Sequence, residues 1–154
     1  PRSFLDDPSF DFSFSGLKTS VLYYLRREGF EPQAAHQDTI AGKSRRQFIA
    51  DVCAGFQRAV VDVLAAKTLR AARTYGVRDI AVAGGVAANA ELRTRLREEA
   101  AANNLRVAIP ALQYCTDNGA MVALAGYFRL QEGAPSELEL TAVPNLQVAR
   151  RPDR

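Results

Sequence analysis

Residues 43–75 form a stretch without proline and with a single glycine, Gly55. Large apolar residues recur along it three and four positions apart, which is the spacing of one face of an α-helix. They are Phe48, Ile49, Val52, Cys53, Phe56, Val60, Val63 and Leu64. Because proline and glycine interrupt helices, the stretch predicts one long amphipathic helix, with any bend near Gly55 and its end at Gly76. A helix of this length must bury its apolar stripe against a second layer of structure.

Short apolar runs alternate with helical patterns after Gly76. Residues 79–85 predict a buried strand that enters a two-glycine turn, and residues 106–110 predict a second strand ended by proline. Apolar residues at helical spacing predict a helix between these strands and another after them, to about residue 131: Leu92, Leu96, Ala100, Met121, Leu124 and Phe128. This alternation indicates the α/β fold class with a mainly parallel sheet.

The region before the long helix is less regular. Residues 10–14 alternate aromatic and polar side chains, which predicts a short, half-buried strand. Ser13 or Ser15 is then expected to cap an amphipathic helix that ends at Gly29. Residues 30–43 contain proline and glycine and show no period, so we expect a surface loop there.

Composition narrows the class of protein without naming a function. The 154 residues are 47% hydrophobic and 24% charged, which suits one domain or one lobe of a larger protein. The net charge of +3 is compatible with a polyanionic partner, although many proteins share it. Cys53 and Cys115 match no CxxC or zinc spacing and lie in apolar segments, so we expect buried, reduced thiols, as in a reducing cytoplasm.

The start of the chain and its hydropathy bear on targeting. No uninterrupted apolar run reaches the length needed to span a bilayer, so no membrane span is expected. The first residue is Pro1, followed by a polar, acidic stretch that has no signal-peptide pattern. A chain that begins this way is expected to be processed or to be cut from something longer.

The turn at Gly84, Gly85 and Asn89 is the first candidate site. Two glycines at the end of a strand let a ligand approach the backbone closely, and the next helix start offers N–H groups and a positive dipole end. Asn89 carries both donor and acceptor groups, which suit a ribose or an amide. A plain strand-to-helix turn with Asn89 near the helix start explains the residues equally well. The spacing is not GxGxxG, which argues against a Rossmann dinucleotide site.

Asp117 and Lys18 are two further candidates. Asp117 opens the last helix, either as a helix cap or as a metal ligand or catalytic carboxylate. A metal ion needs several protein ligands, and the one histidine, His36, lies in a polar loop and is not paired with Asp117. Lys18 in residues 11–19 is a candidate phosphate or RNA contact, but the spacing fails the phosphate-loop pattern and an ordinary capped helix also explains it.

Three segments in a fixed order resemble one family. They are residues 11–19 (DFSFSGLKT), 83–93 (AGGVAANAELR) and 115–121 (CTDNGAM). Their order and approximate spacing are similar to those of the tRNA N6-adenosine threonylcarbamoyltransferases. The likeness runs from about residue 11 to 133, and residues 56–60 in the long helix also fit.

The resemblance implies a fold and an activity. It implies one lobe of the two-lobed actin-like, Hsp70-like and sugar-kinase fold, with residues 1–133 as the C-terminal lobe and 134–154 as an irregular tail. Such enzymes transfer the threonylcarbamoyl group from threonylcarbamoyl-AMP to N6 of the adenosine adjacent to the anticodon, in tRNAs that read codons beginning with A. They act in the cytoplasm with partner proteins of the threonylcarbamoyladenosine synthesis complex.

The resemblance also implies roles for single residues. Asn89 would contact the substrate nucleotide, with Gly84 and Gly85 beside it. Asp117 would ligate one iron or zinc ion together with two histidines of the first lobe. That lobe is absent from this sequence, so we expect the chain alone to lack transfer activity and to bind metal weakly. No catalytic general base is assigned.

A basic helix face and three other functions complete the hypotheses. Arg93 and Arg97 share one face of a predicted helix and are a hypothetical tRNA-facing patch, although such faces are usually just solvated.

An isolated, non-catalytic adenine-nucleotide-binding lobe or interaction module is the alternative function. A metallopeptidase is disfavoured because no HExxH is present. A sugar-kinase-like transfer is disfavoured by the segment 117–121.

Overall fold

The computed structural model describes residues 2, 5–34, 37–133 and 141. The helices and strands of these ranges are α1 (Phe14–Arg27), β1 (Thr39–Ile40), β2 (Lys43–Ser44), α2 (Arg45–Thr74), β3 (Asp79–Ala81), α3 (Ala90–Ala102), β4 (Arg106–Ala108) and α4 (Gly119–Gln131). Short 3-10 turns at Gly85–Ala88 and Leu112–Tyr114 follow the strands β3 and β4. The chain divides into two compact units, Pro1–Thr116 and Asp117–Arg154.

Helix α1 begins and ends where its local signals predict. The Ser13 side chain accepts a hydrogen bond from the Gly16 amide at 3.2 Å, which caps the helix. Gly29 follows its end with φ 68°, the left-handed conformation that glycine adopts readily. The strand predicted over residues 10–14 is wrong. The cap at Ser13 starts a helix at Phe14, and no strand of the described residues pairs with this segment.

Two cations of α2 hold the segment before α1. Lys67 is only 3% exposed, and its Nζ donates to the carbonyl of Ser9 at 2.8 Å. The guanidinium of Arg70 donates to the carbonyls of Asp7, at 2.5 Å, and Leu5, at 2.9 Å. Side chains of α2 therefore satisfy three backbone carbonyls of this segment, which follows a series of bends along the helix.

The loop predicted over residues 30–43 contains a small hairpin. Strands β1 and β2 pair antiparallel over two residues each. Ala41 and Gly42 join them with φ 49° and 73°, and two positive φ values are the pattern of a type I′ hairpin turn. Ile40 is 3% exposed and anchors the hairpin in the core. The surface loop predicted over residues 30–43 thus contains a regular hairpin that the prediction did not include.

Helix α2 spans 30 residues and confirms the predicted long helix. The Ser44 side chain caps its start by accepting from the Gln47 amide at 3.3 Å, and Gly76 follows its end with φ 63°. The buried positions of its second half are closely spaced: Ala59, Val61, Val63, Ala65, Lys67, Leu69 and Ala72. Such spacing places buried residues on more than one face, so neighbouring structure covers this half on several sides.

The core of the first unit lies between α2 and α3. Val61 and Ala65 of α2 pack with Leu92 and Leu96 of α3, each 2–4% exposed. The predicted apolar face of α3 is confirmed. Strands β3 and β4 pair in parallel beside it, with Ile80 opposite Val107, and α3 is the connection between them. The α/β fold class is therefore confirmed.

The second unit is described at residues 117–133 and 141. The Asn118 side chain accepts from the Met121 amide at 3.0 Å and caps α4. The interpretation of Asp117 as the cap is wrong, because its neighbour takes that role. The predicted tail over residues 134–154 lies outside the described residues except for Thr141, so the division at residue 133 stays a prediction. No helix in the described part of the chain is long and apolar enough to cross a membrane.

The two cysteines lie in different environments. Cys115 is 1% exposed, as predicted. The prediction of a buried Cys53 is wrong, because that thiol is exposed on the first half of α2, where Ile49 is 40% exposed as well. Both thiols are free.

Candidate functional site

The turn between β3 and α3 is shaped by one glycine conformation. Gly84 has φ 87° and ψ 171°, a region of backbone space that is essentially restricted to glycine. Its carbonyl accepts from the Ala87 amide at 2.9 Å, which starts the 3-10 turn. A Cβ placed on Gly84 or Gly85 would meet no heavy atom within 4 Å. The backbone here is therefore open to a ligand.

Asn89 ends this turn and caps α3. Its Oδ1 accepts from the Leu92 amide at 2.9 Å, and its Nδ2 donates to Oε1 of Gln57 at 3.0 Å. A primary amide has two N–H donors, so the bond to Gln57 uses only one of them. Both interpretations of Asn89 thus remain compatible: it begins a helix, and it has a further donor to offer a ligand.

Gln57 is a residue of this site that the sequence reasoning missed. It extends from α2 to the start of α3, where its Nε2 also donates to the carboxylate of Glu91. A signal was present in the pattern, because Gln57 stands four positions after Cys53 and three before Val60, inside the apolar stripe. A polar residue at such a position indicates a specific partner.

Arg93 was predicted to face outward, and that prediction is wrong. Its Nη1 donates to the carbonyl of Ala87 at 3.0 Å, and its Nη2 donates to the carbonyl of Pro110 at 2.9 Å. Nη1 also lies 3.7 Å from the Sγ of Cys115. Arg97 is exposed, as expected, so the two arginines do not form one outward patch.

Lys18 lies along the same groove as Asn89. This groove of about 720 Å³ runs between α1, α2 and the start of α3, and its lining is mainly apolar. Gln57 is part of its lining too. The structure therefore brings Lys18 and Asn89 to one open surface, and a phosphate contact by Lys18 stays a prediction.

A charged pair lies at the far end of the strands from the glycine turn. Arg106 donates to both carboxylate oxygens of Asp79 at 2.6 Å, and the two residues are opposite one another in the register. These hydrogen bonds lower the pKa of Asp79 and raise the pKa of Arg106. Because the pair lies at the first residues of β3 and β4, it joins the two strands at their start and takes no part in the turn.

Asp117 is exposed and is the first residue of the second unit. Its carboxylate is a suitable oxygen donor for iron or zinc, but either ion needs several protein ligands. Among the residues described, no group of three His, Cys, Asp or Glu side chains is arranged to hold a metal ion. His36 lies outside the described ranges. The described residues therefore do not make a metal site by themselves.

The chain matches known proteins over most of its length. The family model for tRNA N6-adenosine threonylcarbamoyltransferase matches residues 1–124. Curated relatives of that name are 45% identical over 148 residues in Thermotoga neapolitana and 42% identical over 148 residues in Clostridioides difficile, each alignment covering 96% of this chain and 40% of the relative. A third, in Syntrophobacter fumaroxidans, is 50% identical over 127 residues, which are 82% of this chain and 35% of the relative.

The chain thus spans about two fifths of the length of the first of these relatives. The matched segment includes the Gly84–Asn89 turn, Arg93 and Asp117. The resemblance drawn from the three ordered motifs is confirmed. On the family match and on these identities, the chain belongs to the tRNA N6-adenosine threonylcarbamoyltransferase family.

Proposed function

We propose that this chain supplies the nucleotide-binding part of an enzyme that transfers the threonylcarbamoyl group to tRNA. The donor in this proposal is threonylcarbamoyl-AMP, and the acceptor is N6 of the adenosine adjacent to the anticodon in tRNAs that read codons beginning with A. The observation that carries it is the turn from Gly84 to Asn89, which is open beside both glycines and leads into the N-terminus of α3.

The geometry of the turn suits an adenylate. Without a Cβ at Gly84 or Gly85, a ribose and phosphate can lie directly against the backbone. The N-terminus of α3 favours negative charge, because its first N–H groups and the helix dipole point there. The second N–H of Asn89 is a donor for a ribose hydroxyl or a phosphate oxygen. Lys18, on the same groove, offers a positive charge.

The residues of this chain bind and orient the donor in this proposal. In the transfer, the N6 amine of adenosine forms a bond to the carbamoyl carbon, the bond from that carbon to the phosphate oxygen breaks, and AMP leaves. Holding the AMP group in one place converts an encounter of three components into a reaction between neighbouring groups. No residue of the chain is assigned as the base that accepts the amine proton.

We extend the proposal to the rest of the enzyme. The chain would be one lobe of a two-lobed actin-like fold, and Asp117 would give one oxygen ligand to an iron or zinc ion. The two histidine ligands would come from the other lobe, as the resemblance to the family implies. The complete enzyme would work in the cytoplasm with the partner proteins of threonylcarbamoyladenosine synthesis.

Two substitutions of Asn89 test the proposal. Asn89→Asp keeps an oxygen that caps α3, because aspartate is as good an N-cap as asparagine, but it removes the N–H donor. Asn89→Ala removes both. In the full-length protein, Asn89→Asp should keep the wild-type melting temperature, and its affinity for AMP should fall about tenfold or more. Asn89→Ala should have both a lower melting temperature and a lower affinity for AMP.

The product gives the second measurement. Full-length protein with its partner proteins, tRNA and threonylcarbamoyl-AMP should form threonylcarbamoyladenosine, which mass spectrometry of the digested tRNA detects. Thr94→Ala, at an exposed position of the same helix, is the control and should leave the yield unchanged. AMP binding without any product in the wild type would favour the alternative function, an adenine-nucleotide-binding module. Unchanged AMP affinity in Asn89→Asp would overturn the site.

A further inference from the structure

Arg93 connects two turns that are distant in sequence. Its two terminal nitrogens donate to the carbonyl of Ala87, in the 3-10 turn after β3, and to the carbonyl of Pro110, beyond the end of β4. The second of these bonds joins residues 17 apart. We call these two hydrogen bonds the Arg93 bridge.

The bridge is built from groups that helices and strands do not satisfy. The carbonyls of Ala87 and Pro110 lie outside the α-helices and the paired strands. Each therefore needs a hydrogen-bond donor other than the regular backbone pattern of a helix or sheet. A charged donor forms a stronger hydrogen bond to a carbonyl than a neutral one does. The guanidinium is planar and presents its donors in a fixed fork, so it also sets the distance between the two carbonyls.

The bridge also covers a thiol. The Sγ of Cys115 lies 3.7 Å from Nη1 of Arg93 and is directed at the carbonyl of Ala111, 3.6 Å away. Cys115 is 1% exposed, although the side chain of Arg93 itself is only half-buried. The half-buried side chain of Arg93 is therefore in direct contact with a buried thiol.

We propose that Arg93 is a positioning residue that holds the Gly84–Asn89 turn in its binding shape before the nucleotide arrives. The effect of this role on substrate binding rests on the proposed function. Ala87 lies between Gly84 and Asn89, so a bond at its carbonyl restricts the glycine-flanked turn at its middle. Without that bond the turn also populates other conformations. The apparent affinity for the nucleotide then falls in proportion to the fraction of molecules whose turn is in the binding-competent conformation.

This role predicts a specific kinetic pattern. Loss of the bridge should raise KM for threonylcarbamoyl-AMP by about tenfold, because binding must now also order the turn. At saturating donor the turn is ordered again, so kcat should stay within about twofold. General destabilisation would instead lower the active fraction, and would reduce kcat while leaving KM unchanged.

Cys115 reports the bridge without any reference to activity. In a full-length protein with Cys53→Ser, which removes the exposed thiol of this part of the chain, Cys115 should react slowly with a thiol reagent, as mass spectrometry of the peptide that contains it can measure. Arg93→Gln and Arg93→Lys should each raise that rate about tenfold or more. Arg93→Lys keeps the charge and most of the bulk but lacks the fork, so it tests the geometry even if Arg93→Gln folds poorly. Arg78→Gln, at an exposed arginine before β3, is the control for charge and should change nothing.

The outcomes separate the two proposals. Faster Cys115 labelling together with a higher KM, or with weaker AMP binding by calorimetry, supports the positioning role of Arg93. Unchanged labelling in both Arg93 variants overturns the bridge, and faster labelling with unchanged AMP affinity and KM overturns its positioning role. If the wild type forms no threonylcarbamoyladenosine, the proposed function fails, whereas labelling and AMP affinity still decide the role of Arg93.

Discussion

Oε1 of Gln57, near the middle of α2, accepts a hydrogen bond from Nδ2 of Asn89 at 3.0 Å. The long helix is thereby joined to the cap of α3, the same residue that we propose contacts the nucleotide. The bond orients the Asn89 amide, because it holds one N–H toward α2. The amide group is planar, so the direction of the second N–H is fixed as well.

Substitution of Gln57 should therefore weaken nucleotide binding more than folding. In Gln57→Ala the cap bond from the Leu92 amide to Asn89 is retained, so the free energy of unfolding should fall by at most about 1 kcal/mol. AMP affinity should fall several-fold, because Asn89 is no longer oriented. Calorimetry and urea unfolding of the full-length protein measure the two effects. Gln131→Ala, at an exposed position, is the control, and equal AMP affinity in the two variants would refute the orienting role.

Gly84 and Gly55 should respond in opposite directions to the same substitution. A Cβ would meet no atom at either position, so only the backbone decides. At Gly84, with φ 87°, alanine should cost about 1–3 kcal/mol of stability and should also weaken AMP binding. At Gly55, inside α2, alanine should stabilise by about 0.5–1 kcal/mol. Urea unfolding measures both, and a stable Gly84→Ala would show that the turn tolerates another conformation.

The pair of Asp79 and Arg106 should make part of the stability depend on pH. Hydrogen bonds from Arg106 depress the pKa of Asp79 below the ordinary 3.8, so the folded state holds this carboxylate charged where the unfolded state begins to protonate. The stabilisation is present above pH 3.8 and is lost as the pH falls through the lower folded pKa.

Asp79→Asn should remove that dependence. Its melting temperature should lie below that of the wild type near neutral pH, and the difference should shrink as the pH falls below 3.8. Arg106→Gln should behave in the same way, and the double substitution should add little to either single one. A difference that stays constant down to acid pH would mean that the pair does not act through the Asp79 charge.

The isolated chain should be inactive. The 154-residue chain, mixed with tRNA, threonylcarbamoyl-AMP and the usual partner proteins, should form no threonylcarbamoyladenosine, because it spans about two fifths of its relatives and its described residues hold no complete metal site. It should also show no saturable Zn²⁺ binding at concentrations that saturate the full-length protein. Asp117→Asn in the full-length protein should weaken that binding. Product from the chain alone would disprove the expectation.

Local signals accounted for the helices correctly. Apolar spacing and the glycines at positions 29 and 76 predicted α1 and α2 with their ends, since capping and glycine conformation depend on a few neighbouring residues. The parallel pairing of β3 and β4 followed from the alternation of elements. The turn after β3 and the place of Asn89 at the start of α3 were also predicted correctly, because a strand, two glycines and a helix start are contiguous in sequence.

Features that depend on distant partners were not predictable in the same way. Alternation in residues 10–14 cannot reveal whether a partner strand lies beside it, and none does among the residues described. Helical spacing placed Arg93 on an outward face, yet its long side chain bends back to a carbonyl 17 residues away. The bond from Asn89 to Gln57 spans 32 residues. The short hairpin was missed because its turn lacks the Asn-Gly or Asp-Gly pair that usually marks one.

The attachment of the N-terminal segment to α2 has a consequence for evolution. Lys67 and Arg70 bind carbonyl oxygens of Ser9, Asp7 and Leu5, atoms that every amino acid possesses. These three contacts therefore do not depend on which side chains the segment carries at those positions. The contacts depend instead on the two cations. Substitutions of Lys67 and Arg70 should therefore be rejected more often during evolution than substitutions of the residues whose carbonyls they bind.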